Sequence, residues 1–103
     1  MNILDKIIND KKIEVEERSR ITPIERIKDA QRLYSIRDFN GKLKNKGLQI
    51  IAEIKRRSPS EGDINIHADP SKIAKSFAEN GAACISILTD HQYFGGQLEF
   101  IQL

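Results

Sequence analysis

The sequence holds a single cysteine, Cys84, in 103 residues. One thiol cannot close an internal disulfide, and a reducing cytoplasm is the expected location. Long hydrophobic runs are also missing. The apolar stretches fall well short of the roughly 20 residues that a membrane-spanning helix needs, so no membrane partner is expected. The opening MNILDKIINDKK carries acids early and has neither a basic segment nor a long apolar core, which argues against a secretory signal. There is no glycine-rich phosphate loop of the P-loop or dinucleotide type, and Gly95-Gly96 reads as a tight turn. His67, His91 and Cys84 stand at no metal-ligand spacing, so no metal is expected. Lys55-Arg56-Arg57 has no interleaved aromatics and is too short a basic run to imply nucleic acid. Internal repeats and low-complexity tracts are absent.

What is present fits one small soluble domain. Hydrophobic residues make up 39% and charged residues 31%, which excludes both a disordered chain and a membrane span. The net charge of +2 is unevenly shared: residues 1–47 carry a balance of +4 and residues 48–103 one of −2. The two parts are therefore built differently, an expected helical extension over 1–47 and an α/β portion over 48–103.

The α/β portion is organised around Leu48 to Ser60, LQIIAEIKRRSPS. Its first eight residues form a near-continuous apolar run, the pattern of a strand buried on both faces of a parallel sheet. Glu53 and Lys55 interrupt its far end. Spaced i and i+2 on a strand, they leave the sheet on one side, while Ile54 points to the other. One reading makes them the wet face of a half-exposed strand. The other makes them functional, because polar residues at the carboxyl ends of parallel strands are where ligands sit in α/β folds. Ser58-Pro59-Ser60 then leaves the sheet in extended geometry and offers hydroxyls to solvent or ligand.

Elsewhere the pattern alternates cleanly. A helix is expected over residues 2 to about 18, capped by Asn2, with Leu4, Ile7, Ile8 and Val15 on one face and a solvated charged face opposite. Thr22-Pro23-Ile24-Glu25 predicts a second helix, with Thr22 as cap and Glu25 in the capping-box position. Its apolar side would run through Ile24, Ile27, Ala30, Leu33 and Tyr34, with fraying near Ser35. A short turn or helix around Arg37 to Leu43 would be broken at Asn40-Gly41. After a polar Glu61-Gly62-Asp63 loop, Asp69-Pro70 opens a helix whose apolar face is Ile73, Ala74, Phe77 and Ala78, closed by Gly81. Ala82 to Leu88 is a second buried strand, with Thr89-Asp90 at its end and Tyr93 to Gly96 in the following loop. Asp90 is either a carboxylate for chemistry or a loop cap, with the cap the simpler reading. Cys84 reads as a small core residue. Residues 97–103 begin another helical pattern.

The strings IAEIKRRSPSEGDI, IAKSFAENGA, ISILTD and YFGG together resemble the amino-terminal part of the indole-3-glycerol phosphate synthase family, over essentially the whole chain. The resemblance implies a (β/α)8 TIM barrel, with Leu48–Lys55 as its first strand and Ala82–Leu88 as its second, preceded by a helical extension. It implies a carbon-carbon lyase of tryptophan biosynthesis, which closes a carboxyphenylamino-deoxyribulose phosphate to indole-3-glycerol phosphate with loss of CO₂ and water. By the same resemblance Glu53 and Lys55 are the catalytic pair of the first strand. Ser58 contacts the substrate, and Phe94 packs on its aromatic ring. The only partner implied is a small sugar phosphate, with no metal or organic cofactor. A barrel of this kind takes about 250 residues, so two of its strands are expected here. The family's third-strand lysine and fourth-strand glutamate would lie past Leu103. The chain alone is expected to be inactive, with open sheet edges that favour association with the rest of a barrel or with itself. Two other readings stand beside this one: a non-catalytic helical interaction module, and another phosphate-binding barrel enzyme.

Overall fold

The structure is a computed structural model that describes residues 2–32 and 34–102. The chain divides into two compact units, residues 1–36 and 37–103. The first holds helices α1 (Ile3–Ile21) and α2 (Ile24–Asp29). The second runs α3 (Phe39–Leu43), β1 (Ile51–Ile54), β2 (Arg57–Ser58), β3 (Gly62–Asp63), α4 (Pro70–Glu79), β4 (Cys84–Ile87) and a 3₁₀ turn at Leu98–Gln102.

Helix α1 starts where its cap predicts, with the Asn2 side chain accepting from the Asp5 N–H at 2.8 Å. It runs three residues further than expected. Ion pairs at i,i+3 and i,i+4 support it: Lys11 with Glu14, Arg18 with Glu14 at 2.6 Å, and Arg20 with Glu16 at 2.9 Å. Asp5 in its first turn and Arg18 and Arg20 in its last also complement the helix dipole.

Helix α2 departs from expectation at both ends. Thr22 closes α1 instead of opening α2, its N–H donating to the Arg18 carbonyl at 2.7 Å. Pro23 takes the cap position and no side chain caps the helix. After six residues Ala30 turns to extended geometry. A helix this short without a buried face is marginal, and Ile24, Ile27 and Tyr34 are all exposed. The burial expected along this face is thus not found, and Leu33 lies outside the described residues.

In the second unit α3 continues through Asn40-Gly41 instead of breaking there. The Asp38 carboxylate accepts from the Gly41 N–H at 2.9 Å and holds the first turn. Strands β1 and β4 pair in parallel, Ile51 opposite Cys84 through Ile54 opposite Ile87. The ladder extends at both ends, by Ala83 N–H to Ile50 O at 3.0 Å and Leu88 N–H to Ile54 O at 3.2 Å. Only four residues of the predicted eight-residue strand are strand. Leu48 is 92% exposed; the ladder reaches upstream only to Ile50, whose carbonyl accepts from Ala83 N–H.

Helix α4 makes the crossover between the two parallel strands. Ala74 and Ala78 of α4 line a groove of about 560 Å³ together with Ile85 and Ile87 of β4. Alternation puts Ala52 and Ile54 on that same sheet face, where Ile54 is 4% exposed; Cys84, the register partner of Ile51, is on the other face and is 8% exposed. The expected Cys84 packing is therefore found. Burial on both faces is not: Ile51, on the other face, stays exposed. The polar loop after β1 is more ordered than expected, folding back as the β2–β3 hairpin with Arg57 opposite Asp63.

Asp69 caps α4 as predicted, accepting from the Ser71 N–H at 3.0 Å and the Ser71 hydroxyl at 2.7 Å. Gly81, at φ +96°, closes the helix in the left-handed conformation that glycine adopts without strain. The Ser71 hydroxyl bond, followed by backbone N–H donors and the Lys72 charge, holds the Asp69 carboxyl below its ordinary 3.8. A depressed folded value means that this support is complete above 3.8 and lost as pH falls through the lowered value. Acid titration followed by ¹³Cα shifts of residues 70–73 should show the first turn of α4 loosening at the acid end. Asp69→Asn, which keeps an acceptor without the titration, should flatten that transition.

Candidate active site

The parallel register puts the carboxyl ends of β1 and β4 side by side, and the loops beyond them emerge at that one end of the sheet. Glu53 is the third residue of β1 and Lys55 comes directly after its last. They project from the face opposite Ile54, and Lys55 Nζ lies 3.1 Å from Glu53 Oε2. The side chains are 35% exposed for Lys55 and 43% for Glu53. An ion pair this exposed contributes about 0–1 kcal/mol to stability. Its place on the strand is therefore not explained by what it adds to folding. As a pair it offers a carboxylate that can take a proton and an ammonium that can donate one or hold an anion.

Ser58 stands three residues beyond Lys55, in β2. It is 8% exposed. Its hydroxyl oxygen accepts from the Glu61 N–H at 3.1 Å and lies 3.4 Å from the Ser60 hydroxyl. The hairpin turn thus uses one lone pair of Ser58 Oγ, and either hydroxyl of the Ser58–Ser60 pair can be the donor between them.

Phe94 lies half-buried in the loop after β4. Asp90 is the cap of this loop, its carboxylate accepting from the Tyr93 N–H at 2.7 Å. The Gly95 N–H donates to the His91 carbonyl at 3.0 Å and the Gly96 N–H to the Asp90 carbonyl at 2.7 Å. A Cβ on Gly96 would fall 2.0 Å from the Leu88 carbonyl oxygen, so only glycine lets the loop close on the strand end.

Of the four residues singled out from sequence, the structure brings Glu53 and Lys55 into contact and places Ser58 and Phe94 on the two loops at the same end of the sheet. Two arginines were passed over as a weak basic run. Arg57 Nη2 donates to the carbonyls of His91 at 2.7 Å and Gln92 at 2.8 Å, joining the two loops. Arg56 turns the other way and stacks on the Phe100 ring, 5.3 Å from guanidinium carbon to centroid. Strand alternation carried past Lys55 would have separated these two side chains, but the carbonyls that receive Arg57 leave no mark in sequence. Among the described residues, no three His, Cys, Asp or Glu side chains gather as a metal site would require.

Residues 4–103 match the model of the family described as indole-3-glycerol phosphate synthase. Proteins named indole-3-glycerol phosphate synthase from Burkholderia vietnamiensis and Burkholderia multivorans are 42% and 43% identical to the chain over 105 residues. That from Burkholderia ambifaria is 41% identical. Each alignment covers 98% of this chain and 40% of the relative. The chain belongs to the indole-3-glycerol phosphate synthase family, and it spans 40% of the length of these relatives.

Gly96→Ala should loosen the Asp90–Gly96 loop through overpacking against Leu88, measured as faster amide exchange at Gly95 relative to the amides of α4.

Proposed function

We propose that this chain supplies the first two βα units, and part of the active site, of a TIM-barrel indole-3-glycerol phosphate synthase acting in the cytoplasm. The observation that carries the reading is the Glu53–Lys55 pair, 3.1 Å apart where a parallel strand ends. In an α/β barrel that end of each strand faces the substrate. The helices of residues 1–47 form the extension that precedes the barrel.

The substrate is 1-(2-carboxyphenylamino)-1-deoxyribulose 5-phosphate. A carbon-carbon bond forms between the ring carbon that bears the carboxylate and the ketone carbon of the sugar. CO₂ then leaves, its bonding electrons returning to the ring; the resulting hydroxyl departs as water when an acid protonates it, and a base takes a proton from the adjacent methylene carbon so that the ring double bond forms. The ammonium of Lys55 holds an anionic group of the substrate as a point charge and donates toward developing negative charge at oxygen. Glu53 moves protons and stabilises the positive charge that grows on the ring nitrogen. The Ser58 hydroxyl reaches a substrate oxygen, and Phe94 offers a flat apolar surface to the anthranilate ring.

Two strands line only part of such a site, so turnover requires the remaining strands. The 103-residue chain alone should form no indole-3-glycerol phosphate above background. Joined to the remaining part of the Burkholderia vietnamiensis relative, it should turn the substrate over, and Glu53→Gln or Lys55→Met should lower kcat by about 10²–10⁴-fold. Turnover by the chain alone, or variants that match the unsubstituted fusion, would contradict the assignment.

The exposed face with Ile51 and the open ladder edges invite pairing with further strands. Sedimentation of the isolated chain should therefore show self-association, or its thermal unfolding curve should be broad and weakly cooperative. A monomer with a sharp melt would tell against it.

A further inference from the structure

We propose that Arg57 is a positioning residue of this site: its guanidinium locks the loop after β4, which carries Phe94, to the hairpin after β1, which carries Ser58. The proposal rests on the synthase reading for its consequence in catalysis, but the clamp itself stands on geometry. The loop from Asp90 to Gly96 is already closed by its own hydrogen bonds, from Tyr93 N–H to the Asp90 carboxylate and from Gly96 N–H to the Asp90 carbonyl. It therefore shifts as one piece. Arg57 Nη2 grips that piece at two successive carbonyls, His91 at 2.7 Å and Gln92 at 2.8 Å. The two N–H bonds of one nitrogen fix direction as well as distance, which a single contact does not.

The arginine stem contributes too. A Cβ at Gly95 would stand 3.4 Å from Arg57 Cγ and 3.1 Å from Ile66 Cδ1, so the loop backbone lies directly against this stem. At the other end Arg57 is fixed by its own strand pairing, opposite Asp63 in the hairpin. The hairpin is anchored in turn by the Ile64 and Asn65 N–H groups, which both donate to the Arg56 carbonyl at 2.9 Å. The chain of contacts thus runs from the backbone just past Lys55, through Arg57, to the backbone on either side of Phe94. The basic run next to the catalytic strand is in part a brace between loops, and Arg57 touches no reacting atom.

The test has two readouts. In the 103-residue chain, Arg57→Met keeps the stem and removes the donors. Amide exchange at Gly95 and Gly96 should rise roughly tenfold relative to the α4 amides of the same molecule. In the fusion with the Burkholderia vietnamiensis remainder, Arg57→Met should raise KM roughly tenfold, with kcat per folded molecule changed far less. Arg57→Lys, which can still reach a carbonyl, should recover part of both. Unchanged exchange at Gly95 and Gly96, an equal rise in α4, or a loss of folded protein with KM intact would each overturn the proposal. A fusion without turnover even before substitution would count against the synthase reading, and loop exchange would then decide the clamp by itself.

Discussion

Four residue pairs of parallel ladder, Ile51–Ile54 against Cys84–Ile87, set the geometry of the second unit. Parallel pairing cannot be made by a tight turn. It requires a crossover, which α4 supplies, and it brings both strand ends to one edge. Every residue assigned to the site depends on that edge. Glu53 and Lys55 share a face because they are two apart, and Ile54 between them anchors the opposite face in the core. Had the strands paired in antiparallel fashion, the loop of Phe94 and the hairpin of Ser58 would have emerged at opposite ends.

The ladder alone does not align the segments that leave it. Past the strand ends, order comes from polar contacts that the backbone makes with a few side chains. Asp90 shapes the second loop, Ser58 the hairpin turn, and Arg57 ties one to the other. Arg56 leaves in the opposite direction and covers Phe100. Its Nε is buried and without a hydrogen-bond partner, so the ring contact and its aliphatic stem are what hold it there. Two neighbouring arginines therefore fasten the strand end on its two sides.

Much of this was legible in the sequence where a local signal has one physical meaning. Asn2 and Asp69 cap helices, Gly81 ends one, and the alternation Glu53–Ile54–Lys55 assigns faces. The apolar run from Leu48 was misleading for a reason of the same kind. A continuous apolar run predicts a strand buried on both faces, whereas the four-residue ladder buries only Ile54 of that run. Thr22 carried a cap signal that the end of α1 used first. The Arg57 bonds could not be read at all, because their acceptors are backbone carbonyls 34 and 35 residues away, and any residue type presents a carbonyl.

The Glu53–Lys55 contact joins fold to chemistry, and a crystal structure of the fused barrel holding indole-3-glycerol phosphate tests it most directly. Both side chains should stand within hydrogen-bond distance of the bound product, at the carboxyl end of β1. Product bound elsewhere, with Glu53 and Lys55 turned into bulk water, would contradict the account.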